Sequence, residues 1–241
     1  MKKLMIAAAA LTAGFAMADV VSSDIVGYAQ SALDTDYGAV MTSAQFVDVA
    51  STDGSISLNA IKPAAGVGVD TAYLVEIQIL DNAGYTTENS YLWNGATWEA
   101  ASGDDVSKVT FAPGQGLWVM SSIGEAAGLQ SSGKVGTNDV DFDLDEDYGA
   151  AAIGNPFPTA VALNDILPIV DAGVDASYLI EIQILDNAGY TTENSYLWNG
   201  SSWEAASGAD VSTITFAPGQ GLWVMSSIGA PAALRFPAPE L

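Results

Sequence analysis

Carboxylates dominate the side chains of this sequence that could carry chemistry. The 241-residue chain has 29 Asp and Glu residues but no His and no Cys. Without His, neither a Ser-His-Asp triad nor its Cys-His relatives can form, and without both residues the usual zinc, haem and iron–sulfur ligand sets are absent. What remains is a pair of carboxyl groups acting on a glycosidic bond, or a hard cation such as Ca²⁺ held by oxygen.

The most strongly patterned carboxylates lie in "DVDFDLDED" at residues 139–147. As a strand, this segment places its aspartates on one face, where their mutual repulsion would be relieved by bound Ca²⁺. The spacing differs from an EF-hand loop, which requires Gly at position six and Glu at position twelve. Two interpretations stay open: a solvated acidic face, or a metal site. Calcium is the one cofactor considered, with the candidate ligands Asp139, Asp141, Asp143 and Asp145.

Tryptophan followed by glutamate forms a second candidate site, because an exposed indole can stack on a sugar ring while Glu and Asn bind its hydroxyls. Trp98 and Trp203 lie beside predicted hairpin turns, which makes them the best candidates for exposure. The alternative is that all six tryptophans fill the core. The candidate ligand-binding residues are Trp98, Glu99, Glu88, Trp203, Glu204 and Glu193.

The spacing of the glutamates bears on whether the protein could be a glycosidase. A glycosidase needs two carboxyl groups roughly 5 to 10 Å apart. Glu76, Glu88 and Glu99 recur as Glu181, Glu193 and Glu204, but nothing in their spacing demands such a pair. We therefore predict no catalytic residues and no enzyme activity.

These residues sit in a chain that contains one passage twice. Residues 70–124 align with 175–229 at a constant offset of 105, with about 47 of 55 positions identical. A period this long is typical of tandem domains, since solenoids and propellers repeat every 20 to 50 residues or so. The sequence predicts a signal peptide, a first β-domain, a linker, a second β-domain and a Pro-rich extended tail, at residues 1–18, 19–124, 125–130, 131–229 and 230–241.

The repeat has the patterns of β-strands. In "YLVEIQIL" at 73–80, apolar side chains alternate with Glu and Gln, the period of a half-buried strand. Asn94-Gly95 is a strong hairpin signal, and Pro113-Gly114 suits a type II turn. Further strands are predicted at 85–93, at 97–101 and in "LWVM", with a short helical turn near "LNAI" and "LNDI". We predict an all-β fold of two tandem antiparallel β-sandwich-like domains.

Three motifs resemble a secreted β-module of Bacteroidetes and Verrucomicrobia-type surface-associated proteins. They are "IGNPFPTAVALNDIL" at 153–167, "YLWNG" at 196–200 and "FAPGQGLWV" at 216–224. The first repeat lacks the GNPFP motif and reads "MTSAQFVDV" instead. The resemblance implies an exported β-fold and transfers no catalytic residues.

The N-terminus and the charge predict where the protein acts. Lys2 and Lys3, an apolar run and Ala16-Met17-Ala18 form a signal peptide, so we expect export to the cell surface or medium, with the periplasm as alternative. No later run is long enough to span a membrane. Cleavage would leave four basic residues against 29 acidic ones, which disfavours nucleic acid as a partner.

Three functions follow from these observations. The first is a non-catalytic exported structural, adhesive or surface-layer protein. The second is a bivalent glycan-binding protein, since two linked sites tighten binding without new contacts. A carboxylate-based glycosidase is the third. The expected partners are extracellular glycans or other surface proteins.

Overall fold

The computed structural model describes residues 26–48, 51, 54–81, 83–84, 86–144, 149–186, 188 and 191–240. The fold is all-β, with 47% strand and 5% helix, which confirms the predicted fold class. The predicted signal peptide lies outside the described residues. Within the described part of the chain, no helix is long and apolar enough to cross a membrane.

Ten strands form the first repeat within its described residues. They are β1 (Val26–Ala32), β2 (Ala39–Ser43), β3 (Ile56–Ser57), β4 (Lys62–Ala65), β5 (Val75–Leu80), β6 (Thr86–Trp93), β7 (Trp98–Ala100), β8 (Thr110–Phe111), β9 (Gly116–Ser121) and β10 (Ala127–Lys134). Short 3₁₀ turns lie at Leu58–Ala60 and Val106–Lys108.

The second repeat has the same ten strands in the same order. They are β11 (Val140–Asp143), β12 (Ala150–Gly154), β13 (Val161–Ala162), β14 (Leu167–Val170), β15 (Ile180–Leu185), β16 (Thr191–Trp198), β17 (Trp203–Ala205), β18 (Thr215–Phe216), β19 (Gly221–Ser226) and β20 (Ala232–Phe236). A 3₁₀ turn at Leu163–Asp165 matches the one at Leu58–Ala60.

Each repeat combines three antiparallel sheets around its own core. In the first repeat the strand orders are β2-β9-β5-β6-β7, β1-β10-β4 and β3-β8, and the second repeat has the equivalent orders. The alternation predicted for β5 is observed, because Val75 and Ile77 are fully buried while Glu76 is only half-buried. Burial of such aliphatic side chains stabilises the fold by about 1.5 to 3 kcal/mol each.

The predicted turns are observed as well. Gly95 has φ 97°, and the Asn94 N–H donates to the Thr97 carbonyl at 3.0 Å, which closes the hairpin between β6 and β7. Gly114 has φ 79°, and the Gln115 N–H donates to the Ala112 carbonyl at 3.0 Å. Positive φ at these positions favours Gly, which is why the sequence signal was reliable.

The predicted linker and tail are wrong. Residues 125–130 largely belong to β10, and 230–241 contain β20. Each of these strands is the central strand of its three-stranded sheet. Leu129 and Leu234 attach these strands to the core at equivalent positions, and β20 also buries Phe236. In β10, the Ala, Gly and Ser residues beside Leu129 show too little apolar alternation to indicate a strand from sequence.

The two repeats pack against each other through their PGQG turns. The Ser43 N–H donates to the Gly219 carbonyl at 3.0 Å, and the Gly154 N–H donates to the Gly114 carbonyl at 2.9 Å. Ser43 and Gly154 hold equivalent positions at the ends of β2 and β12, so the contact has an approximate two-fold symmetry. Isolated bridges between Thr42 and Gln220 and between Gln115 and Ile153 repeat that symmetry.

Glycine in the PGQG turn is required for this close approach. A Cβ at Gly116 would lie 2.5 Å from the carbonyl carbon of Ala152, and one at Gly221 would lie 2.5 Å from that of Met41. Because both neighbours are backbone atoms, they cannot move aside cheaply. The motif that resembles a secreted module therefore has a structural role as the contact between repeats.

Candidate functional site

The tryptophans predicted to be exposed are buried. Trp98 and Trp203 are each 2% exposed, and their indole N–H groups donate to the Ile61 carbonyl at 2.7 Å and the Ile166 carbonyl at 2.8 Å. Each packs edge-on against the tryptophan that ends the preceding strand, with ring centroids 5.3 and 5.4 Å apart. The prediction of a sugar platform at these two residues is wrong, because the core takes both faces of the indole.

The glutamates beside these tryptophans point the other way, to solvent. Glu99 and Glu204 are exposed, and their carboxylates accept hydrogen bonds from the side-chain amides of Asn94 at 2.7 Å and Asn199 at 2.6 Å. These bonds tie each carboxylate to its own hairpin turn. The side chains of Glu88 and Glu193 lie outside the described residues. The predicted group of Trp and Glu is therefore not assembled into one site.

Glu76 and Glu99 share a face of the five-stranded sheet. Leu92 pairs with both residues in register, so the two glutamates lie two strands apart, about 10 Å between backbones. Glu76 accepts a hydrogen bond from the Gln78 amide at 3.1 Å. Glu99 is exposed, and Leu92 lies between the two glutamates in the sheet register.

The predicted calcium ligands have a different partner. Asp141 accepts two hydrogen bonds from Arg235, from Nε and Nη2, both at 2.7 Å. The Arg235 hydrogen bond lowers the pKa of Asp141. Asp139 lies 3.8 Å from Arg235 Nε, and one of its oxygens accepts the Ala238 N–H at 2.9 Å.

Arg235 therefore supplies the positive charge that a cation was expected to bring. Asp143 is exposed at the end of β11, and Asp145 lies outside the described residues. Among the described residues, no cluster of three or more Asp or Glu side chains could hold a metal ion. The alternation itself is confirmed for 139–144, where the aspartates are exposed and Val140, Phe142 and Leu144 face inward.

Sequence reasoning missed the surface feature that the two repeats share. Tyr73 and Tyr178 are 58% and 59% exposed, and both have φ 60°, in the left-handed region. Tyr37 has the same φ and is 73% exposed. Positive φ is uncommon for a bulky residue and is found preferentially at functional sites.

These tyrosines border a small cavity in each repeat. The first has a volume of about 150 Å³ and is lined by Tyr37, Tyr73, Glu76, Leu92, Met120 and Ser122 among others. The second, of about 210 Å³, is lined by the equivalent residues Tyr178, Glu181, Leu197, Met225 and Ser227. We call them the tyrosine pockets.

Hydrogen bonds of the main chain hold the tyrosines in place. The Tyr73 N–H donates to the Trp93 carbonyl at 2.6 Å, and the Tyr178 N–H donates to the Trp198 carbonyl at 2.5 Å. Asp70 stabilises the preceding turn by accepting the Ala72 N–H at 2.9 Å. The backbone carbonyls of Trp93 and Trp198, at the ends of β6 and β16, thus position the tyrosines.

A second loop presents Tyr37. The Asp34 carboxylate accepts the N–H groups of Asp36 at 2.7 Å and of Gly38 at 3.0 Å, which fixes the loop around the tyrosine. A Cβ at Gly124 would lie 2.7 Å from the Tyr37 hydroxyl oxygen, so Gly gives the ring its space. The only sequence signal for this loop was the repeated "DYGA" at 36–39 and 147–150.

Comparison with known proteins gives no relative for this chain. No family model, no curated protein and no solved structure matches it.

Proposed function

We propose that the protein is a non-catalytic exported component of the cell surface or its surroundings, with a structural or adhesive role. The observation that carries the proposal is the use of the repeated motifs. Trp98 and Trp203 fill the cores, and the PGQG turns join the repeats through main-chain hydrogen bonds. Residues that both repeats use for such contacts stabilise the fold. A catalytic site would instead have polar groups that converge on a substrate.

The surface chemistry supports the same role. A formal net charge of −23 on 241 residues keeps a protein soluble and repels anionic polymers. The N-terminal signal pattern and the resemblance to secreted β-modules support export. The hydrogen-bonded Glu99 and Glu204, each held by the amide of its own turn, support a surface without an acid–base pair.

Expression of the full chain in a bacterial host tests export. We expect a product that begins at Asp19 in the extracellular or envelope fraction, identified by mass spectrometry of its N-terminus. The matched control Ala18→Arg removes the small residue that signal peptidase requires, and it should leave an uncleaved chain. An uncleaved wild-type chain in the cytosol would contradict the proposal.

Turnover tests the second half of the proposal. The purified protein should release no more product from a panel of chromogenic glycosides than a Glu76→Gln/Glu99→Gln/Glu181→Gln/Glu204→Gln variant. Release that disappears in this variant would show a carboxylate-based glycosidase instead.

A further inference from the structure

The two tyrosine pockets offer a ligand the same chemistry in both repeats. Each is lined by an exposed tyrosine, a half-buried glutamate and a serine. Volumes of about 150 and 210 Å³ are smaller than the roughly 300–1,000 Å³ of drug-sized sites. One ring-sized group fits such a pocket.

Packing does not explain the tyrosines. Gly or Asn would adopt φ 60° with less strain, yet both repeats place Tyr there with more than half of the side chain in solvent. An exposed aromatic ring at a backbone position with positive φ is suited to stacking on a ligand.

We propose that the tyrosine pockets bind a neutral polysaccharide, each pocket taking one sugar residue. The apolar face of the sugar stacks on Tyr73 or Tyr178, and its hydroxyls donate to Glu76 or Glu181. An anionic polysaccharide is disfavoured by the net charge of −23. A polymer of repeating sugars suits a protein with two equivalent sites, because the second contact gains from effective concentration. The proposal rests on the non-catalytic exported role and deepens it.

Affinity gel electrophoresis tests the proposal with defined probes. The native gels contain laminarin, galactomannan or hydroxyethylcellulose as neutral polysaccharides and alginate as the anionic one. We expect at least one neutral polysaccharide to retard the protein and alginate not to do so. Tyr73→Asn and Tyr178→Asn should each weaken retardation at least tenfold, and the double variant should abolish it.

Thermal unfolding of the same variants separates binding from folding. Asn accepts positive φ more readily than Tyr, so Tyr73→Asn/Tyr178→Asn should raise Tm while it abolishes binding. The matched control is Tyr28→Asn on β1, where the tyrosine is 61% exposed but has no positive φ. The polysaccharide should retard the Tyr28→Asn variant as strongly as the wild type, and the Tm of this variant should not rise.

Three results would overturn the proposal: no retardation by any neutral polysaccharide, retardation by alginate alone, or equal retardation of wild type and double variant. Each would leave the non-catalytic exported role standing, since localisation and turnover test that role. If the protein released reducing sugar from a polysaccharide that retards it, the non-catalytic role would be contradicted. The proposal that the tyrosine pockets bind sugar would still stand.

Discussion

Strands β5–β9 and their copies β15–β19 have nearly the same residues, whereas β1–β4 and β11–β14 share few of theirs. The contact between the repeats joins a nearly identical segment of one repeat to a divergent segment of the other. Each identical PGQG turn lies against a divergent strand end, Ser43 in β2 or Gly154 in β12. The bonds that both sides share are between main-chain groups, so the turn accepts two different partners. On the β2 side, the Thr42 hydroxyl also donates to the Gly219 carbonyl at 2.8 Å and the Ser43 hydroxyl to the Asn155 carbonyl at 2.9 Å.

One stretch of the divergent segments departs from this pattern. "LDTDYGA" at 33–39 and "LDEDYGA" at 144–150 differ at a single position. In the first repeat, this stretch contains the buried Leu33, the loop-stabilising Asp34 and the exposed Tyr37. Where the surrounding sequence changed, the loop that borders the tyrosine pocket was kept. This comparison supports the proposal that the pocket binds a ligand.

The largest expected effect comes from the identical segments. Trp98→Ala and Trp203→Ala should each lower the free energy of unfolding by about 3 to 5 kcal/mol, because each removes a fully buried indole and its hydrogen bond. Chemical denaturation measures the change. The matched control Tyr28→Ala should cost less than about 0.5 kcal/mol. If only one of the two substitutions lowered the free energy of unfolding, the two tryptophans would not have equivalent roles in the repeats.

A smaller effect is expected where the repeats differ. The Asn155 amide donates to the carbonyls of Thr159 at 2.7 Å, Phe216 at 3.1 Å and Ala217 at 3.2 Å, whereas the first repeat has Ala44 at this place. Asn155→Ala leaves buried polar groups without partners and should cost about 2 to 3 kcal/mol.

The reciprocal change Ala44→Asn is the control for that prediction. The first repeat lacks the prolines of "GNPFP" that shape the loop around the amide, so the added side chain should not stabilise it. A gain in the free energy of unfolding from Ala44→Asn would show that the two loops are interchangeable.

The ion pair of Asp141 and Arg235 belongs to the second repeat, since the first has Gln30 and Gln130 in register there. Arg235 lowers the pKa of Asp141, so the pair stabilises the fold above the unfolded-state pKa, and this contribution is lost as the pH falls through the folded value. Because both side chains are more than 40% exposed, solvent screens the pair, and Arg235→Gln should lower the free energy of unfolding only slightly at pH 7.

Calcium titration calorimetry on the full chain adds a check on that pair. A flat trace is expected for wild type, since Arg235 already neutralises Asp141. Heat of binding that Asp141→Asn removes would restore the metal interpretation.

The smallest expected effect is at the turn before Tyr178. Hydrogen bonds from the Ser177 hydroxyl and N–H lower the pKa of Asp175, and the first repeat has Ala72 instead of this serine. Ser177→Ala should raise the pKa of Asp175 toward its usual value, as measured by carboxyl NMR titration. An unchanged pKa would show that the hydroxyl bond does not form.

The sequence predicted the parts of the fold that depend on local pattern. Alternation located Val75 and Ile77 in the core, and Gly95 and Gly114 marked turns that need positive φ. Strand β10 escaped prediction because Leu129 is its one large buried aliphatic residue among Ala, Gly, Ser and Gln. Its place in a sheet depends on pairing with β1 and β4, which are distant in sequence.

The candidate site was harder to predict than the fold for the same reason. A tryptophan beside a hairpin turn is equally compatible with core and surface, and only the packed fold assigned Trp98 to the core. Arg235 and Asp141 meet from positions 94 residues apart. No sequence period reveals the positive φ of Tyr73, since that conformation is imposed by the Trp93 carbonyl and the turn at Asp70.

Differential scanning calorimetry of the chain from Asp19 to Leu241 tests most directly whether the PGQG turns join the repeats into one structural unit. We expect a single transition with equal calorimetric and van't Hoff enthalpies. Gly221→Val should lower that transition as a whole, while the matched control Gly66→Ala, whose Cβ would make an ordinary contact of 3.6 Å, should leave it unchanged. Two separate transitions in the wild type, or a loss confined to one of them in Gly221→Val, would contradict the account.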